Sequence, residues 1–132
     1  MRVLIDTNVL ISAVLHGGIP LKAYNKAVSY PNFGVLCVQN INELRRVFNR
    51  KFPKKVSDME KFLALAMQYI EIIDTPETEV EDEGKIRDDD DKTILRAAIF
   101  ARVDIILTGD RDLLESDIEN PKIVTPANFL EQ

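Results

Sequence analysis

Residues 2–15 read RVLIDTNVLISAVL. A short apolar run, RVLI at 2–5, stops abruptly at Asp6, and the apolar residues then resume at 9–15 (VLISAVL) as a first helix opened by Thr7 or Asn8. A strand that is apolar throughout, rather than alternating, belongs inside a parallel sheet covered on both faces. The same pattern recurs outward along the chain. Gly34 opens VLCV at 35–38, IEIID at 70–74 is closed by Pro76, IILT at 105–108 is followed by Gly109 and Asp110, and KIV at 122–124 precedes Thr125 and Pro126, an N-cap with a first-turn proline.

Helical spacing fills the intervals. Leu21, Tyr24 and Val28 follow a break at Gly17, Gly18 and Pro20. Asn40 with Glu43 has the form of a capping box opening a basic helix that runs to Pro53, and Ser57 with Glu60 has the same form. Phe62, Leu65, Ala66, Tyr69 and Ile73 then share one predicted face, and Ile94, Leu95, Ala98 and Ala101 point a helix at about 90–102 toward the core. Residues 75–90 read as an acidic connection, with ETEVEDE at 77–83 as a solvated loop. Strands alternating with helices define an α/β fold with a parallel sheet between two helical layers. No linker composition divides the 132 residues, so a single domain over 1–132 is expected.

Composition narrows the function. A single cysteine, Cys37, allows no internal disulfide and reads as a small buried hydrophobe, which suits a reducing cytoplasm. His16 is the only histidine, excluding histidine-rich metal sites, and reads as a loop residue. No stretch approaches a membrane span or a secretory signal. Neither G-x-x-x-x-G-K-[ST] nor G-x-G-x-x-G occurs, so nucleotide cofactors lack their usual cradle. Position 8 is Asn, so the D-x-D of haloacid-dehalogenase-type phosphatases is missing after the first strand.

The net charge of −5 argues against a nucleic-acid partner until it is resolved along the chain. Residues 1–70 carry ten Lys and Arg against four acids, a net of +6, and residues 71–132 carry seven against eighteen, a net of −11. RRVFNRKFPKK at 45–55 holds six cations and no acid. This run reads either as a solvated helix face or as a track for phosphates.

The acids follow a geometric logic. Ligands of parallel α/β sheets bind outside the carboxyl ends of the strands, and two strands here run directly into Asp6 and Asp110. Either alone is explained as a helix cap; together they belong on one sheet edge. A third acid is expected there from Asp88–Asp91. One or two carboxylates suit a helix N-terminus, but four in a row repel one another, and a divalent cation removes that repulsion. Glu43 is either the capping-box acid or part of the same pocket.

The segments MRVLIDTNVLISAVL, NINELRRVF, RDDDDKTILRAA, DIILTGDRDLL and VTPANFL, in this order, resemble the signature segments of PIN-domain proteins. The chain is similar in particular to the VapC-like ribonucleases, the toxin components of toxin–antitoxin systems, over essentially its whole length. D-T-N-V and T-G-D-R-D-L-L carry most of that specificity; N-x-x-E carries little.

The resemblance implies a three-layer α/β/α sandwich with a central parallel sheet of four to five strands. It also implies an acidic pocket holding Mg²⁺ or Mn²⁺ for endonucleolytic cleavage of RNA. Carried over residue by residue, the catalytic and metal-binding acids are Asp6, Glu43, Asp91 and Asp110, with Asn8 in support. Asp90 competes with Asp91, because the acidic run lacks the proline that often interrupts it in relatives, and Asp112 competes with or adds to Asp110. Arg45, Arg46, Arg50 and Lys51 are the expected RNA-binding cations. The implied partners are an RNA substrate, an antitoxin protein and a second copy in a homodimer, with no membrane. A PIN-fold RNA- or protein-binding module without catalysis is the alternative, followed by a DNA nuclease or phosphatase.

Overall fold

The computed structural model describes all 132 residues. Five strands, β1 (Arg2–Ile5), β2 (Phe33–Cys37), β3 (Glu71–Ile73), β4 (Ile105–Leu107) and β5 (Lys122–Val124), form one parallel sheet in the order β3-β2-β1-β4-β5. Leu4 lies in register between Val35 and Ile106, so β1 is the central strand and both its neighbours are buried. Alternate strand residues supply two cores. Val3, Ile5, Leu36, Ile105 and Leu107 face one layer, where helices α1 (Thr7–His16), α2 (Gly18–Ala27), α3 (Val38–Lys51), α4 (Val56–Ala66) and α7 (Pro126–Leu130) pack. Leu4, Val35, Cys37 and Ile106 face the other, covered by α5 (Asp89–Phe100) and α6 (Arg111–Leu114). The result is the expected α/β/α sandwich, with five strands.

Several local expectations change. Asp6 itself, not Thr7 or Asn8, is the N-cap of α1, its Oδ1 accepting from Thr7 N at 2.8 Å. The basic helix begins at Val38, with Cys37 at the cap and Asn40 inside the first turn, where its Oδ1 accepts from Cys37 N at 3.1 Å. Asn40 therefore closes the turn backward, and Glu43 holds no capping position. Ser57 does not cap α4, which starts a residue earlier without a side-chain cap, and Glu60 instead pairs with Arg45. The buried face of that helix is Met59, Leu63 and Ala66, continued by Ile70, whereas Leu65 and Tyr69 are exposed. His16 is the last residue of α1 rather than a loop residue.

The acidic connection is not uniformly solvated either. It contains a 3-10 turn at Glu81–Lys85, where Glu83 is buried and bound through both oxygens by Arg96 of α5, at 2.7 and 3.1 Å. The guanidinium holds the Glu83 carboxyl below its ordinary range, and Arg96 also donates to the Pro76 carbonyl at 3.1 Å. These bonds staple the connection onto α5, the helix whose first turn carries Asp89–Asp91.

Gly34 marks the tightest packing in the sheet. A Cβ there would lie 2.8 Å from Val28 Cγ1 and 3.2 Å from Ile70 Cγ1, two branched side chains with little freedom to withdraw. Gly34→Ala is expected to destabilise the fold by about 1–3 kcal/mol through overpacking, read as a lower urea midpoint at an unchanged slope.

Candidate metal centre

Sequential connections run from β1 outward to β2 and β3, and the chain then returns to the other side of β1 as β4 and β5. The gap between β1 and β4 is thus a topological switch point, where helices leave in opposite directions and open a crevice at the strands' carboxyl ends. Asp6 follows β1 and Asp110 follows β4 on this edge, and Asp6 N donates to Leu107 O at 2.9 Å, which locks the two strand ends together.

Asp6 is 5% exposed and fully engaged with neutral donors. Its Oδ2 accepts from Thr108 Oγ1 at 2.8 Å and from Asn8 Nδ2 at 3.1 Å. Asn8 also donates to Thr108 Oγ1 at 3.2 Å and accepts from Gly109 N at 2.9 Å, and Asp110 N donates to the same hydroxyl at 2.9 Å. Thr108 and Asn8 therefore hold both strand-end acids in one rigid network. Burial, the largest effect on Asp6, pushes its carboxyl up to about 6, with the charges of Glu43 and Asp110 adding to the rise.

Glu43 reaches the pocket through a different chain of bonds. Asn40 Nδ2 donates to Thr7 Oγ1 at 2.9 Å, and Thr7 Oγ1 donates to Glu43 Oε2 at 3.1 Å. The acids at the start of α5 divide by helical phase. Asp88 caps the helix, its Oδ1 accepting from Asp90 N and Asp91 N, and Asp89 and Asp90 are exposed. Asp91 is 6% exposed, and its Oδ2 is buried without any hydrogen-bond partner. Its carboxyl is pushed up to about 8, first by burial and then by the adjacent Asp110.

Asp6, Asp91 and Asp110 each present a carboxylate oxygen within 4.8 Å of the others. They line a crevice of about 230 Å³ together with Glu43, Asp88 and Asp90. The donor set is all hard oxygen, with neither sulfur nor imidazole, and it contains a buried oxygen that nothing in the chain satisfies. Both features fit a small divalent cation. Asp88, Asp91 and Asp112 form an overlapping second group, but Arg87 already sits 3.2 Å from Asp112.

The basic residues separate. Arg45 is bound through two nitrogens to Glu60, at 2.9 and 3.3 Å, and points along α4. Arg46, Arg50 and Lys51 are exposed, and Arg46 and Arg50 follow Glu43 by three and seven residues, on the same flank of α3. Thr7, Asn40 and Thr108 support the crevice without having been singled out for it from the sequence, and Asp88, one of the run expected to supply an acid, lines it as the cap of α5. Thr108 alone left a readable signal, a polar residue ending an otherwise apolar strand just before Gly-Asp.

A three-layer α/β/α domain with carboxylates clustered at its switch point is the class that this fold and site define. The chain belongs to the PIN-domain family, whose family model matches residues 2–112. It is 29% identical to an uncharacterized protein of Methanocaldococcus jannaschii, over all of this chain and 91% of that protein. Among solved structures, it is similar to a chain of VapBC2 from Rickettsia felis, bound to a DNA fragment from its promoter. That match has a TM-score of 0.70 and 20% identity, over 95% of this chain and 98% of the other. It is also similar to VapC20 of Mycobacterium tuberculosis, a sarcin–ricin loop cleaving toxin, with a TM-score of 0.62 and 11% identity over 86% and 93%. No helix is long and apolar enough to cross a membrane.

Proposed function

We propose that this protein is an endoribonuclease dependent on Mg²⁺ or Mn²⁺, the toxin of a toxin–antitoxin pair, acting in the cytoplasm as a single-domain homodimer restrained by an antitoxin. The observation that carries the proposal is the partnerless Asp91 oxygen within reach of Asp6 and Asp110. The toxin named among the structural relatives supports the choice of RNA.

When bound, a divalent cation would acidify a water and neutralise charge on the scissile phosphate. Asp6, Asp91 and Asp110 would hold it. Asn8 and Thr108 keep Asp6 and Asp110 in place, and Thr7 keeps the Glu43 carboxylate at the rim, where it orients or accepts the proton of the attacking water. The chain needs no side-chain nucleophile for this chemistry.

The direct test is incubation with end-labelled single-stranded RNA and DNA panels, with Mg²⁺, with Mn²⁺ or with EDTA. RNA cleavage with either metal and none with EDTA is expected. Cleavage of DNA alone would replace RNA as the substrate, and cation binding without cleavage of either would leave a binding module. Arg46 and Arg50 are the cations proposed to carry the RNA backbone toward Glu43, with Lys51 beyond them at the end of α3. Arg46→Glu with Arg50→Glu is expected to weaken RNA binding and to flatten its logarithmic salt dependence by about 0.7 for each phosphate that the variant leaves unneutralised. Arg45→Ala, which removes a cation already neutralised by Glu60, leaves that slope close to wild type.

A further inference from the structure

The acidic crevice has a neighbour. Asn8 and Asp110 also border a second groove of about 500 Å³, which runs between α1, the start of α2, the β4–α6 turn and the start of α7. Val9, Ser12, Pro20, Gly109 and Pro126 complete its lining, Gly109 without a side chain. Asn8 is the fixed partition between crevice and groove, since both ends of its amide are already used by Asp6, Thr108 and Gly109.

The two compartments differ in charge. Six acids line the crevice. Asp110 is the only charged residue on the groove, and no Lys or Arg lines it. A phosphate in the groove would face Asp110 without compensation, so the groove excludes anions. Its small hydroxyl, its two proline rings and the edge of Val9 suit an uncharged, partly polar group. In a polynucleotide, the unit attached to a phosphate held in the acidic crevice is such a group, a ribose with its base.

We infer that the Val9, Ser12, Pro20, Gly109 and Pro126 groove is a nucleoside subsite, which seats the base and sugar next to the scissile phosphate. This inference rests on the nuclease reading for its substrate. Only the uncharged occupant follows from the groove itself.

The test walks a single abasic residue along a cleaved RNA and measures kcat/KM with wild type and with Ser12→Leu, whose larger side chain projects into the groove. For wild type, loss of the base at one position beside the cleaved bond is expected to slow cleavage about tenfold, and the other positions to matter little. Ser12→Leu is expected to slow the intact substrate by a similar factor, to lose sensitivity to that abasic position, and to keep the Mn²⁺-induced rise in thermal midpoint. In parallel, free uridine and adenosine are titrated into ¹⁵N-labelled protein with Mg²⁺. They are expected to shift the Ser12 and Gly109 amides in wild type and not in Ser12→Leu.

If RNA is cleaved but abasic substitution acts equally everywhere and nucleosides move neither amide, the subsite is wrong and the nuclease reading stands. If no RNA is cleaved but nucleosides shift these amides, the nuclease reading fails, and the groove binds nucleosides as a binding module would, with no scissile phosphate beside it. Neither cleavage nor shifts overturns both.

Discussion

Asp6→Asn is expected to lower RNA cleavage by at least about 10²–10³-fold, the scale on which removing one group that stabilises developing charge acts. It is also expected to abolish the rise in thermal midpoint that Mn²⁺ gives wild type. The substitution is nearly isosteric and its carbonyl still accepts from Thr7 N, so α1 keeps its cap. What disappears is the negative charge beside Asp91 and Asp110, together with the oxygen that accepts from Asn8 Nδ2 and Thr108 Oγ1. Binding to the folded state alone adds about 2.7 kcal/mol of stability at a cation concentration one hundred times the dissociation constant. Thermal unfolding with and without Mn²⁺ therefore reads the ligand role without any substrate. An equal Mn²⁺ shift in wild type and variant would remove Asp6 from the centre.

Asp91→Asn has the second large effect, and on metal-free stability it acts in the favourable direction. The folded-state carboxyl is raised to about 8 from an ordinary 3.8, so the unfolded chain releases this proton far more readily than the folded one. The stabilising contribution of the protonated form is complete below about pH 4 and is lost as pH rises toward 8. Asp6, raised to about 6, adds to the same decline over the lower part of that range. Without metal, wild type is thus expected to lose stability between pH 4 and 8. Asp91→Asn, neutral throughout, should show a flatter profile and a higher thermal midpoint at pH 8. Saturating Mn²⁺ should reverse the order, stabilising wild type and not the variant. Parallel pH profiles in metal-free wild type and variant would show that Asp91 ionises without strain and would leave no reason for a cation beside it. A residue that destabilises the empty fold is retained for what it binds.

The layered fold was legible because each strand is a short apolar run bounded by Gly, Pro or an acid, a local signal that neighbouring elements reinforce. Asp6 and Asp110 were legible for the same reason, since an acid at or just beyond the end of a buried strand falls on the sheet edge whatever the rest of the chain does. The helix starts were less so. Asn40 and Glu43 have the spacing of a capping box, yet the helix begins three residues earlier than that box would place it, because Asn40 reaches back to Cys37 N instead of capping forward. The shift places Glu43 beyond the first turn, where Thr7 binds it. The predicted face of α4 held only in part: Phe62 and Ala66 pack inward, but Leu65 and Tyr69 are exposed, and Met59 and Leu63 enter the core in their place.

The chain's own order of residues determined the parallel α/β architecture, the strand-end position of two acids and the segregation of basic and acidic halves, all of which depend on neighbours within a few residues. Tertiary structure alone decided which of Asp90 and Asp91 turns inward, that Arg45 is spent on Glu60 while Arg46 and Arg50 stay free, and that Glu83 is buried under Arg96. The first two depend on the rotational setting of α5 and α3, and the third on how the 3-10 turn folds back onto α5. A shift of one residue turns a side chain through roughly 100°, from solvent to crevice, and long-range packing rather than local spacing chooses between the two.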